Sequence, residues 1–280
     1  MFLKLETLQP TGSFKVRGAA NKLLSLSDSE RMRGVVTVST GNHGRAVAYV
    51  ARALGVAATV CISESVPDNK VESIRALGAT LVIHGVSQDE AEVRARELAA
   101  DGLTLVHPFD DPHIISGQGT IGLELLEDLP ELTTVLVPLS GGGLIAGVAL
   151  ALKSANSKLR VVGVSMEHGP VMVESLKVGR PLELPEDDTL ADSLKGGIGL
   201  ANRYTFGLVQ RLVDETVLVS ETDIAEAMRF ALHRERLLLE GAAAVGVAAL
   251  LSRRVRYDGP VAVIASGSNV AVDVLLGLSP

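Results

Sequence analysis

The sequence predicts an α/β protein built of two doubly wound parallel-sheet domains, and three observations carry the prediction. Short β-branched runs alternate with longer stretches of helical periodicity along the 280 residues. The runs are apolar on both faces, as strands are when helices cover each side of a sheet. Residues 34–108 hold four strand–helix steps of their own, enough for a second, smaller sheet inserted into a larger domain.

In chain order, Phe2 to Glu6 alternates apolar and polar residues and reads as a short strand. Pro10 and Gly12 then break the chain, and Ser13 is the expected N-cap of a helix that carries Lys15 and Arg17 in its first turn. The strands expected after it are 35–38, 58–62, 80–83, 104–106, 133–137, 161–164, 217–219 and 261–264. The span Gly179 to Leu190, with Pro181, Pro185 and the acids Glu186, Asp187 and Asp188, is the most loop-like. These elements predict a small domain over 34–111 and a large one made of 1–33 and 112–280.

Composition narrows the function classes. Hydrophobic residues make up 47% of the chain with 28 glycines and no tryptophan, which excludes a disordered or fibrous protein. A net charge of -7 without runs of like charge argues against nucleic acid and anionic membrane as partners. No apolar run is long enough to span a bilayer, and the first residues lack the layout of a secretory signal. The single cysteine, Cys61, sits inside an apolar run and cannot form an internal disulfide. The cytoplasm is the expected compartment.

Ligands of such sheets bind beyond the carboxyl ends of the strands, so the turns there are the candidate sites. Lys15 lies where a helix begins; the helix dipole and partial burial both lower a lysine pKa and favour a nucleophilic amine. After residue 38 comes Ser39-Thr40-Gly41-Asn42-His43-Gly44, a polar turn whose amides and side chains suit a carboxylate, although ordinary capping by Ser39 or Thr40 explains it equally well. After residue 137 comes Ser140-Gly141-Gly142-Gly143-Leu144, where consecutive glycines let backbone amides approach a phosphate. The same glycines satisfy G-x-G-x-x-A, with Glu167 after the next strand as a ribose ligand, so a nicotinamide oxidoreductase stays open. After residue 264 comes Ser266-Gly267-Ser268-Asn269, in which serine either caps a helix or donates to a ligand, and Glu240 opens a further helix.

A lysine, a carboxylate turn, a phosphate turn and a late serine are together the parts that hold pyridoxal phosphate and an amino acid. The stretches Gly12-Ser13-Phe14-Lys15-Val16-Arg17-Gly18-Ala19, 39–44, 140–144 and 266–269 resemble the signatures of the fold-type II, tryptophan synthase beta-like pyridoxal-phosphate enzymes, in their serine/threonine dehydratase group. The runs Thr189 to Leu200, Asn202 to Phe206 and Gly163 to Glu167 are most similar to the dehydratase of hydroxyectoine utilisation.

The resemblance implies that Lys15 carries the cofactor as a Schiff base and takes the Cα proton, and that Asn42 bonds the ring oxygen. It implies further that Ser140, Gly141, Gly142, Gly143 and Leu144 hold the phosphate, that Ser266 bonds the pyridine nitrogen, and that Ser39, Thr40, Gly41, Asn42 and His43 receive the substrate. Thr40 stands where related racemases place a proton-donating serine, so Thr40 is the second catalytic candidate and dehydration is expected over racemisation. A neutral serine partner makes the ring a weaker electron sink and favours prompt loss of a β-hydroxyl. The implied reaction is elimination of water from threonine, serine or a hydroxyectoine-derived 3-hydroxy amino acid, giving an enamine, then a keto acid and ammonia. Ser165 and Val171 occupy the positions of acidic cation ligands in relatives, so no metal is expected. A homodimer is implied, and the 14 residues ahead of Lys15 are fewer than the family carries, so part of the first layer is expected to be missing. A non-catalytic amino-acid sensor of the same fold is the alternative that also explains every motif.

Overall fold

The computed structural model describes residues 1–39, 41–64, 66, 68–86 and 88–278. The elements run β1 (Phe2–Leu5), α1 (Lys15–Leu24), α2 (Asp28–Arg33), β2 (Val35–Val38), α3 (Asn42–Leu54), β3 (Ala58–Ile62), α4 (Asp68–Arg75), β4 (Thr80–Ile83), α5 (Gln88–Ala100) and β5 (Thr104–Leu105). They continue with α6 (Pro112–Asp128), β6 (Thr134–Pro138), α7 (Gly143–Ala155), β7 (Arg160–Met166), α8 (Val171–Val178), α9 (Thr205–Leu212), β8 (Glu215–Val219), α10 (Glu221–Phe230), α11 (Gly241–Leu251), β9 (Val261–Ala265) and α12 (Val272–Gly277). Among the described residues every strand pairing is parallel, as the apolar runs predict.

The chain divides into two compact units, Met1–Leu8 with the residues from Gln118 onward, and Gln9–Gly117. The larger unit holds a five-stranded sheet in the order β1-β9-β6-β7-β8. One face of it packs on the alanine-rich α11 and on α10, with Leu136, Val162, Val164, Val263 and Ala243 fully buried. The packing is close because Gly246 of α11 faces Val263, where a Cβ would come within 2.6 Å of the valine methyl. The sheet also needs a glycine at Gly163, whose Cβ would press on Leu139 at 2.8 Å and Ile145 at 3.1 Å, so α7 sits directly on β7.

The smaller unit holds the sheet β4-β3-β2-β5. Helices α1 and α3 cover one face with Val16, Leu23, Val47 and Ala51, and α5 covers the other with Ala91 and Ala95 against Val36, Val38 and Cys61. The expected boundaries at 33/34 and 111/112 differ from these units, which include 9–33 and 112–117 in the smaller one. The cause is α1. It packs on α3 in one apolar cluster, Lys22 pairs with Asp111 at 2.6 Å, and Asn21 donates to the His113 carbonyl at 2.7 Å.

Ser13 is not the N-cap of α1. That position is held by Phe14, already in the right-handed helical region (φ -57°, ψ -21°), and the first turn closes by the Arg17 N–H donating to the Phe14 carbonyl at 3.0 Å. A capping side chain needs an extended residue ahead of the helix. Ser13 is instead turned inward, fully buried, with a hydroxyl that has no hydrogen-bond partner among the described residues.

Candidate active site

Each sheet winds in one direction from its central strand and then in the other, and the reversal leaves a crevice at the carboxyl ends of two neighbouring strands. In the larger unit the chain leaves β6 toward β7 and β8, while β9 returns on the opposite side of β6. The turn 139–142 follows β6 and Ser266 follows β9, so the glycine turn and the late serine flank that reversal. In the smaller unit the chain leaves β2 toward β3 and β4, and β5 lies on the other side of β2. Residues 39–44 follow β2 and residues 106–108 follow β5.

Helices α2 and α10 begin on full capping boxes, formed by Ser27 with Glu30 and by Ser220 with Asp223. The helices that begin at the reversals are different. The cap of α7 is Gly142 at φ +87°, without a side-chain cap bond, and its first turn is buried. The cap of α3 is Gly41, also without one, and Asn42, His43 and Gly44 behind it are buried. A buried helix start with no side-chain cap leaves N–H groups and the positive end of a dipole for an anion. The two turns are shaped for this by glycine. A Cβ at Gly142 would lie 2.9 Å from the Met172 methyl and 3.1 Å from Thr205 Cβ, and one at Gly44 only 2.4 Å from the Ser39 carbonyl oxygen.

In the smaller unit, Lys15 directs its ammonium to the Pro108 carbonyl at 2.7 Å, with the Phe14 ring centroid 5.4 Å away. Lys15 therefore stands beside the end of β5, one strand across from the 39–44 turn. In that turn the Gly41 N–H donates to Ser39 Oγ at 3.2 Å. The His43 side chain points inward and donates from Nε2 to the Val106 carbonyl at 3.0 Å, while Nδ1 has no hydrogen-bond partner among the described residues. Burial, and then the nearby Lys15 charge, push the His43 imidazole down to about 3, so it is neutral; burial lowers His107 in the same direction. Thr40 lies outside the described residues.

In the larger unit, Ser140 is half-buried, Gly141, Gly142, Gly143 and Leu144 are buried, and Ser266 is buried at the end of β9. Glu240 is more than a helix-opening acid. It is buried, its carboxylate accepts the Asn269 N–H at 3.2 Å, its own N–H donates to the Gly267 carbonyl at 3.1 Å, and a Cβ on Gly267 would strike it at 2.5 Å. Glu240 thus holds the turn that follows Ser266, a role that only the fold reveals. Glu167, the ribose ligand of the nicotinamide reading, is exposed and paired with Arg254 at 3.0 Å.

A family profile described as pyridoxal-phosphate dependent enzyme matches residues 1–267. The chain belongs to this family. Its relatives include a Sinorhizobium fredii protein provisionally named a threonine dehydratase, 53% identical over 270 residues that cover 96% of this chain and 81% of the relative. They also include the L-threonine ammonia-lyase of Thermotoga maritima, 45% identical over 276 residues, 98% of this chain and 68% of the relative. The structure of the processed form of threonine deaminase isoform 2 from Solanum lycopersicum superposes with a TM-score of 0.92 at 37% identity, over 99% of this chain and 81% of that one. Within the family this is a β-eliminating dehydratase of the ammonia-lyase type, and its cofactor is pyridoxal phosphate.

The residues present fit that cofactor. The buried start of α7, with glycine instead of a capping side chain, matches a phosphate in chemistry and in charge. Gly142→Ala is expected to cost about 1–2 kcal/mol through the left-handed backbone alone and to weaken pyridoxal phosphate binding about tenfold or more, checked by absorbance titration of cofactor-free protein. The neutral His43 generates a second prediction. Its folded pKa lies below that of the unfolded chain, so the unfolded state gains the proton first as pH falls, and stability declines from pH 6.5 toward 3 by up to about 1.4 kcal/mol per pH unit. His43→Gln should flatten that slope between pH 6 and 4.5 in denaturant titrations, and an unchanged slope contradicts the assignment.

Proposed function

We propose that the substrates are L-threonine and L-serine, with Lys15 as the residue that both carries the cofactor and moves the Cα proton. Pyridoxal phosphate supplies an aldehyde that condenses with amines and a conjugated ring that takes up the electron pair left at Cα. The observation that supports the reading best is the amine of Lys15 at the end of β5, beside the strand whose following turn opens an uncapped, buried helix start.

In this reading the amides at the start of α3, in the Ser39, Gly41, Asn42 and His43 turn, bind the substrate carboxylate, with Thr40 between them. The His43 contribution is its main chain, because its ring is occupied with Val106. Asn42, buried at that helix start, bonds the cofactor ring oxygen. The amides of Gly141, Gly142, Gly143 and Leu144, with Ser140, hold the phosphate. Ser266, beside the Glu240-held turn, would meet the ring nitrogen with a neutral hydroxyl, and the β-hydroxyl of the substrate leaves with the Cα proton as water. The enamine released hydrolyses to a keto acid and ammonia.

We also read the protein as a cytoplasmic homodimer that needs no metal. The exposed Leu8 and Leu123 on the larger unit support the first and the buried thiol of Cys61 the compartment; light scattering of the purified protein checks the dimer. The substrate reading predicts one keto acid and one ammonia per L-threonine or L-serine consumed, with L-threonine, L-serine and a hydroxyectoine-derived 3-hydroxy amino acid compared side by side. Lys15→Ala should lower turnover by about 10³-fold or more with an unchanged circular dichroism spectrum. Parent-like turnover by that variant removes Lys15 from the proposed role.

A further inference from the structure

The segment after β5 is held more firmly than a strand end requires. The Val106 N–H makes the last ladder bond to the Val36 carbonyl at 2.8 Å. The Val106 carbonyl then accepts two side-chain donors from different elements, Thr37 Oγ1 of β2 at 2.8 Å and His43 Nε2 of α3 at 3.0 Å, and both side chains are buried. A carbonyl has two lone pairs, and here both are used. On the far side, His107 Nδ1 accepts the N–H groups of Phe109 at 3.3 Å and Asp110 at 2.8 Å. The proline ring fixes φ between these anchors. What stands between them is the Pro108 carbonyl, the acceptor of the Lys15 ammonium.

We propose that the Pro108 carbonyl is the seat that receives the Lys15 amine whenever it is not bonded to the cofactor, and that Thr37 and His43 are positioning residues that aim this seat through Val106. A neutral carbonyl suits the task. It orients an ammonium by a charge-assisted hydrogen bond, yet holds the proton less tightly than a carboxylate does, so the amine is released for its next reaction. The side chains of Thr37 and His43, which aim the seat, touch neither substrate nor cofactor in this scheme, and the substrate contact proposed for His43 is made by its main chain alone. The inference rests on Lys15 being the cofactor lysine only for its purpose; the seat is a property of the chain alone.

The test uses cofactor-free full-length protein. Lysines are labelled with a brief pulse of acetic anhydride and the acetyl content of the Lys15 peptide is read by mass spectrometry against the exposed Lys158 and Lys177. In the parent Lys15 must lag both. Thr37→Val removes the donor at nearly constant volume and should speed Lys15 labelling about fivefold, the equivalent of one ordinary net hydrogen bond, whereas Thr37→Ser keeps the hydroxyl and should stay within about twofold of the parent. Should Thr37→Val not fold, His43→Leu is read in the same way. Parent labelling of Lys15 as fast as Lys158, or a folded Val or Leu variant with parent-like labelling, overturns the proposal. Altered labelling in a protein that binds no pyridoxal phosphate would leave the seat standing and refute the cofactor role instead.

Discussion

Parallel strands all leave a sheet at the same edge, and where the winding reverses two neighbouring strands send their chains apart. That constraint operates twice in this protein. Between β6 and β9 it opens the place flanked by the glycine turn and Ser266, and between β2 and β5 it opens the place flanked by the 39–44 turn and the Pro108 carbonyl. Helix starts at such reversals can stay uncapped because a ligand completes them. Helices α2 and α10 close their starts with capping boxes, whereas α1, α8, α9, α11 and α12 also begin without a side-chain cap, so it is their place at the reversals that marks the starts of α3 and α7.

The chemistry divides along the same lines. In the proposed reading the larger unit supplies backbone amides and one neutral hydroxyl, which would grip and orient the cofactor. In the same reading the smaller unit supplies the amine of Lys15, beside a proline carbonyl, the Phe14 ring and two histidines whose pKa values burial lowers. Neutral surroundings matter for a lysine that must exchange its proton and its covalent partner in each turnover. A carboxylate in the place of the Pro108 carbonyl would favour the ammonium and hold it there.

Much of this was legible in the sequence. The nine strands of the described residues lie where the sequence predicts them, β1 from its apolar–polar alternation and the other eight from β-branched runs too short for a helix period. The glycine turns were legible because a left-handed φ at Gly142 and the close approach at Gly44 both require glycine. Ser13 misled, since a serine two residues ahead of a helix has the composition of a cap whether or not its hydroxyl turns inward. The unit boundary could not be read either, because α1 joins the smaller sheet through contacts to residues about 90 positions away, such as Lys22 with Asp111. Thr37, His107 and Glu240 gave no signal for the same reason. A threonine in a strand and an acid at a helix start are ordinary residues until the fold shows which backbone group each one holds.

The identity of the reactive amine is what the whole arrangement stands on. Holoprotein reduced with borohydride, digested and mapped by mass spectrometry should carry the added mass of the reduced cofactor on the peptide containing Lys15, and on no other lysine. Cofactor mass fixed to a different lysine, or a yellow protein that borohydride leaves unmodified at Lys15, contradicts it.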